Sequence, residues 1–222
     1  MSDLFPKWTN RLPLYVIVGG ALAATAVTAG VWYYFTPKYT RVGYAPIQPV
    51  GYSHAIHVDQ LGLDCRYCHS AVETSWYANV PSASVCMNCH NQVLREDPKL
   101  ALVRESAASG QPIPWVQIHK VPDYVYFNHA VHVNRGVSCV ECHGQINRME
   151  EVHHAKPLSM AFCLDCHRNP ASRLRPLEKV TDLNWTWDAD PRKAAEMQKL
   201  HGQEMVKQLG VQSLQSCSAC HR

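Results

Sequence analysis

The sequence predicts one membrane-crossing helix followed by an exported domain of short helices and loops, whose side chains alone supply too little apolar core. Three observations predict this: an uncharged run of 24 residues near the amino terminus, ten cysteines that all fall into one repeated motif, and 14 Pro and 11 Gly among 222 residues. With 46% hydrophobic and 18% charged residues the chain is neither disordered, collagenous nor coiled coil. A mean hydropathy of −0.23 is too polar for a multi-span membrane protein. A formal charge of +3 carries no nucleic-acid footprint.

The first element is the run from Leu12 to Phe35, LPLYVIVGGALAATAVTAGVWYYF. As a helix it would be about 36 Å long at ~1.5 Å per residue, enough to cross a hydrocarbon layer of ~30 Å. Trp32, Tyr33, Tyr34 and Phe35 close it with the aromatic side chains that favour a membrane interface. A cleaved signal peptide is the competing reading, but its apolar stretch is ordinarily only ~7–15 residues, so an uncleaved anchor is expected. Lys7 and Arg11 on one side and Lys38 and Arg41 on the other balance, so charge does not set the orientation. Gly19, Gly20, Ala23 and Ala24 form a small-residue patch suited to packing against another membrane helix.

The cysteines come next. Cys65–Cys68–His69, Cys86–Cys89–His90, Cys139–Cys142–His143, Cys163–Cys166–His167 and Cys217–Cys220–His221 are five copies of C-x-x-C-H, and they leave no thiol for a disulfide. Two thiols three residues apart on one helical turn reach the two vinyl groups of a haem and form thioethers, while the adjacent histidine meets the iron. Paired zinc knuckles also contain C-x-x-C but need no histidine after each second cysteine. The fold class expected is therefore a multihaem cytochrome c: mainly short α-helices and loops around a haem core, with one N-terminal transmembrane helix. Five covalently bound c-type haems are expected. Such attachment occurs outside the cytoplasm, which puts the haem domain on the periplasmic or outer side of a bacterial inner membrane.

The expected organisation is a cytoplasmic tail over 1–11, the transmembrane helix over 12–35 and a periplasmic pentahaem domain over 36–222. About 37 residues per haem leave little room for a side-chain core, so the haems themselves must be the core. The domain contains a duplication. Tyr52-Ser53-His54-Ala55-Ile56-His57-Val58 resembles Phe127-Asn128-His129-Ala130-Val131-His132-Val133, and the motifs that follow repeat at offsets of 74 and 77 residues. Modules of one H-x-x-H and two C-x-x-C-H are therefore expected over about 50–97 and 125–170, joined by Gly110 to Pro122, with the fifth haem in 171–222. Asp190 as cap and Pro191 in the first turn predict a tail helix to about Leu209. Its stripe of Met197, His201, Met205 and Leu209 is expected to pack.

An electron carrier fills both axial positions of each iron. Beyond the proximal His69, His90, His143, His167 and His221, the distal candidates are His54, His57, His129 and His132, because imidazoles at i, i+3 leave one short helix in related directions. The fifth distal ligand is His119 or Met149; the latter would give a His/Met iron of higher potential. Met87 and Met160 are expected to pack, and at most one of His153 and His154 to ligate. Arg168, Arg173 and Arg175 suit haem propionates, or else form a solvated basic turn.

The anchor, the five motifs and the stretches PDYVYFNHAVHV (122–133), VSCVECHGQINRMEEV (137–152) and PLSMAFCLDCHR (157–168) resemble the pentahaem cytochrome c subunit of bacterial alternative complex III. Cytochrome subunits of polysulfide-reductase-like complexes share these stretches. The resemblance implies an electron-transfer subunit without catalysis of its own. Its partners would be other subunits of a membrane complex, including a quinol-binding multi-span subunit, and a periplasmic cytochrome or similar acceptor. No nucleic acid is expected. Two further readings stay open. One is a stand-alone quinol dehydrogenase cytochrome of the NapC/NrfH type. The other is a multihaem reductase with an open haem site, although no C-x-x-C-K motif is present.

Overall fold

A computed structural model of the chain describes residues 5–35 and 40–221. It divides into two units, Met1–Val42 and Gly43–Arg222.

In the first unit a 3₁₀ turn, Lys7–Arg11, runs into α1, Leu12–Phe35, over the residues expected to cross the membrane. Pro13 stands in the first turn, where its missing N–H costs nothing. α1 is apolar on every face and buries no residue within its unit, as suits a lipid-facing helix. In mid-span Thr25 Oγ1 donates to Ala21 O at 2.8 Å, so that hydroxyl needs no partner from lipid. Lys38, on which the charge balance partly rested, lies outside the described residues.

In the second unit the elements are short. They are a π-turn, Ala55–Gln60, and helices α2 (Cys65–Cys68), α3 (Ala83–His90), α4 (Ala101–Ser109), α5 (His129–Val133), α6 (Cys139–His143), α7 (Met160–Arg168), α8 (Pro191–Gln208) and α9 (Cys217–Cys220). Strand pairing among the described residues is confined to two isolated bridges, Val125 with His221 and Val137 with Leu174. The architecture is thus helical without a sheet, as expected from the sequence.

The apolar core is thin. Eleven hydrophobic residues are buried among those described, in a domain of this size. Seven of them form two small clusters: Val50, Ala83, Val103 and Ile113 behind α3, and Val72, Val133 and Val180 between the modules. That burial is small against the conformational entropy of a 180-residue unit. Covalently held groups have to supply the rest.

The tail helix α8 has the capped start the sequence predicts: Asp190 Oδ1 accepts from Arg192 N at 2.8 Å. It docks closely on the turn Pro170–Ser172. Gly202 faces Ala171 O with no room for a Cβ, and Gln198 Nε2 donates to Ala171 O at 2.8 Å and Leu174 O at 2.9 Å. His201 stacks on Trp187, ring centres 4.6 Å apart, and Met205 is buried, so the stripe packs on protein.

Candidate haem-binding site

Each C-x-x-C lies on one helical turn, on α2, α3, α6, α7 or α9, and each of these helices follows an Asp or Ser with extended backbone: Asp64, Ser82, Ser138, Ser159 and Ser216. These are helix-starting residues, and two act through the side chain, Asp64 on Arg66 N and Ser159 on Phe162 N. The spacing therefore sets both thiols of each motif on one face. All ten thiols are free of disulfides. Among the described residues no group of three or more His, Cys, Asp and Glu is arranged to hold a bare metal ion.

The histidines meet in facing pairs. His57 and His90 have ring centres 6.2 Å apart, and so do His132 and His167. His129 lies 6.4 Å from His143, with the planes 14° apart. An imidazole nitrogen sits about 2 Å from a transition metal, so two imidazoles on opposite sides of one iron have ring centres about 6 Å apart. Three facing pairs match that span.

The ring orientations fit as well. Nδ1 donates to a backbone carbonyl in five of these histidines: His57 to Ser53 O at 2.8 Å, His69 to Asn79 O at 2.6 Å, His90 to Val93 O at 2.9 Å, His129 to Trp76 O at 2.9 Å and His132 to Asn128 O at 2.8 Å. A proton fixed on Nδ1 leaves Nε2 as the free lone pair, the tautomer a metal needs. Burial, with His69 and His57 nearby, lowers His54 to about 4, and burial among the rings of His119, His129, His69 and His154 lowers His143 to about 3. Burial likewise lowers His129 and His132. These rings stay neutral, which is the ligating form. The residues present thus fit haem iron.

The duplication extends to residues whose role the motif reading missed. Tyr52 stands edge-on to His54 (4.8 Å) and stacks on His57 (4.4 Å); Phe127 stands edge-on to His129 (4.8 Å) and stacks on His132 (4.8 Å). One aromatic wedge therefore holds each H-x-x-H pair. Its signal in the sequence is an aromatic two residues before each pair. The modules also interlock. Ala55 N bonds Met149 O at 3.1 Å, after the third motif, while His129 N bonds Trp76 O at 3.2 Å, after the first.

The two remaining distal candidates, His119 and Met149, lie beside the third motif. His119 lies edge-on to His143 at 4.4 Å and stacks at 5.1 Å on His154, which is 1% exposed. Met149 is buried beside Gly144. The ring next to His221 is Tyr124, 5.7 Å away. Of the three arginines expected to meet propionates or to form a solvated turn, Arg168 is exposed while Arg173 and Arg175 pair with protein carboxylates. Arg173 Nη1 donates to Glu141 Oε2 at 3.0 Å and Nη2 to Asp165 Oδ2 at 3.3 Å, and Arg175 lies 3.9 Å from Glu141 and over Trp185. Arg173 thereby ties the third motif turn to the fourth, through Glu141 and Asp165.

Comparison with known proteins agrees with this site. Residues 50–106, the first module and α4, match the family described as cytochrome c7 and related cytochrome c. Over 177 residues the chain is 31% identical to the menaquinone reductase multiheme cytochrome c subunit of Nitratidesulfovibrio vulgaris (strain Hildenborough), covering 79% of this chain and 77% of the relative. Five C-x-x-C-H turns, facing imidazoles and this relationship together place the chain among the multihaem cytochromes c, which carry their haems covalently.

Proposed function

We propose that this chain is the electron-transfer subunit of a membrane quinol-linked oxidoreductase complex, anchored by α1 with the haem domain on the periplasmic side, and that it carries five haems. The observation that carries the reading is the pairing of His57 with His90 and of His132 with His167 at one common separation. A covalently bound haem supplies a one-electron carrier. Everything else is the protein's work. The ten cysteines fix the attachment points. The five histidines after them and His54, His57, His129 and His132 supply the imidazoles; backbone carbonyls hold the rings of His57, His69, His90, His129 and His132, and Tyr52 and Phe127 pack against the two H-x-x-H pairs. An iron closed on both faces changes little in geometry on gaining an electron, so the residues around it need not rearrange. A reductase with an open site is the weaker reading, since three of the five motif histidines face a second imidazole and no C-x-x-C-K motif occurs.

Supporting partners is the relative's own name, a subunit of a menaquinone reductase. Oxidation of quinol with delivery to a periplasmic acceptor, as in alternative complex III, is the finer reading. The same name favours a second one, in which electrons run toward the quinone. The complex purified from native membranes decides: prompt haem reduction by a menaquinol analogue, with delivery to a periplasmic cytochrome, supports the first. Haem oxidation by the quinone after reduction by a periplasmic donor supports the second. Quinol oxidation by the isolated chain would establish a stand-alone dehydrogenase.

A further inference from the structure

The five motifs are not stacked in chain order. The second is tied to the first: Asn88 Nδ2 donates to Tyr67 Oη at 3.0 Å, each residue being the second x of its C-x-x-C. The first is tied to the third through one segment. Cys65 Sγ lies 3.9 Å from Thr181 O and Asp64 accepts from Thr181 Oγ1 at 2.9 Å, while Ser138 Oγ donates to Val180 O at 2.7 Å and Cys139 N to the same carbonyl at 3.4 Å. The third is tied to the fourth by Arg173, which bridges Glu141 and Asp165, again the second x of each. The fourth is tied to the fifth: Ser213 Oγ donates to His167 O just ahead of α9. Tyr126 N, on the segment leading to His132, donates to Cys220 O at 2.7 Å.

We propose that the motifs form one unbranched path in the order second, first, third, fourth, fifth, so that the motifs ending in His90 and His221 are the two terminal stations where electrons enter and leave. This rests on the five-haem reading. Exposure supports it independently: Cys89 and Cys217 are exposed and the other eight cysteines are partly buried, so each end motif has one thiol at the surface. Behind the second motif lies the cluster Val50, Ala83, Val103 and Ile113, drawn from residues 50–113, which backs it with local chain instead of another motif. The duplication explains the order. Two like modules meet through their first motifs, the segment Val180–Thr181 lying across the junction, and the tail extends only the second module.

The test is the iron map of the intact holoprotein, by anomalous scattering at the iron edge or by cryo-electron microscopy of the complex. The expected nearest-neighbour pairs are second–first, first–third, third–fourth and fourth–fifth, with one close neighbour each for the second and fifth irons. A second-motif iron placed between two others, or a fifth-motif iron away from the fourth, overturns the order. Fewer than five irons overturns the five-haem reading instead. Electron paramagnetic resonance gives a separate readout. Opening the second-motif iron with His57→Ala should perturb one other low-spin signal, and opening the fourth with His132→Ala should perturb two. Equal numbers would overturn the proposal.

Discussion

His57 and His90 face each other with ring centres 6.2 Å apart, and each anchors its Nδ1 on a backbone carbonyl, Ser53 O and Val93 O. His132 and His167 repeat that separation in the second module, with His132 anchored on Asn128 O. Duplicated sequence has kept not only the motif but the ring placement that two ligands of one iron require.

Removing one distal ring should open one iron. His129→Ala is expected to convert one low-spin haem to high-spin while every haem stays attached, because the thioethers do not depend on His129. His57→Ala and His132→Ala should do the same for other single haems. Low-temperature paramagnetic resonance together with intact-protein mass checks this. An unchanged spectrum removes that histidine from the ligands.

The chain should fail to fold without its covalent groups. Eleven buried apolar side chains cannot offset the ordering entropy of this domain. Protein made where haem is not attached is expected to lack a cooperative thermal transition by circular dichroism, whereas the holoprotein should show one.

The Arg173 bridge should matter more than an exposed pair. Arg173→Ala leaves Glu141, 15% exposed, without its closest cation. Leaving a largely buried carboxylate short of a donor costs about 1–3 kcal/mol, and Arg173's own exposure puts this case near the low end. A Tm drop of about 2–4 °C should follow. Arg95→Ala, at the exposed pair with Glu96, should stay within about 0.5 kcal/mol of the parent. Equal effects in the two variants would show that the bridge is idle.

The seat of α8 leaves no space at one position. A Cβ at Gly202 would collide with Ala171 O, which is backbone and cannot swing away. Gly202→Ala should cost about 1–3 kcal/mol through overpacking, whereas Gly51→Ala, with open space around it, should be near neutral. Thermal melts of the two holoprotein variants give the comparison.

Acid sensitivity should involve Asp64. Hydrogen bonds from Arg66, helped by Thr181, hold its carboxyl at about 2 against an ordinary 3.8. The folded value is the lower one, so its contribution is fully present above about pH 4 and is lost as pH falls toward 2. Asp64→Asn should lower Tm at pH 7 by about 2 °C, a figure reduced for solvent screening, and the gap to the parent should close between pH 4 and pH 2. A gap independent of pH would show that Asp64 acts only as a helix cap.

Much of the site was legible because haem attachment is local chemistry. Two thiols and a histidine within five residues are brought together by a single helical turn, and Asp64, Ser138 and Ser216 start three of those turns from the adjacent position. The H-x-x-H pairs were legible for the same reason. Tyr52 and Phe127 were visible as repeated positions, but their role was not, since nothing in an aromatic residue says that it will pack against two imidazoles. Arg173 was read toward propionates because its carboxylate partners, Glu141 and Asp165, become neighbours only when the third and fourth motifs meet. His119 was read as a distal candidate with no iron assigned to it, and only the fold shows that it lies against His143.

The sequence by itself determined where the ten thiols and their adjacent histidines fall, that the anchor is long and apolar enough to span a membrane, and which further histidines stand in H-x-x-H pairs, all properties fixed within a few residues. Only the tertiary structure decided which ring faces which, how the modules interlock and in what order the motifs touch. Those depend on contacts such as Cys65 with Thr181 and Tyr126 with Cys220, between segments far apart in the chain. No local spacing encodes such contacts. They are selected by the packing that closes a thin core around its covalent groups.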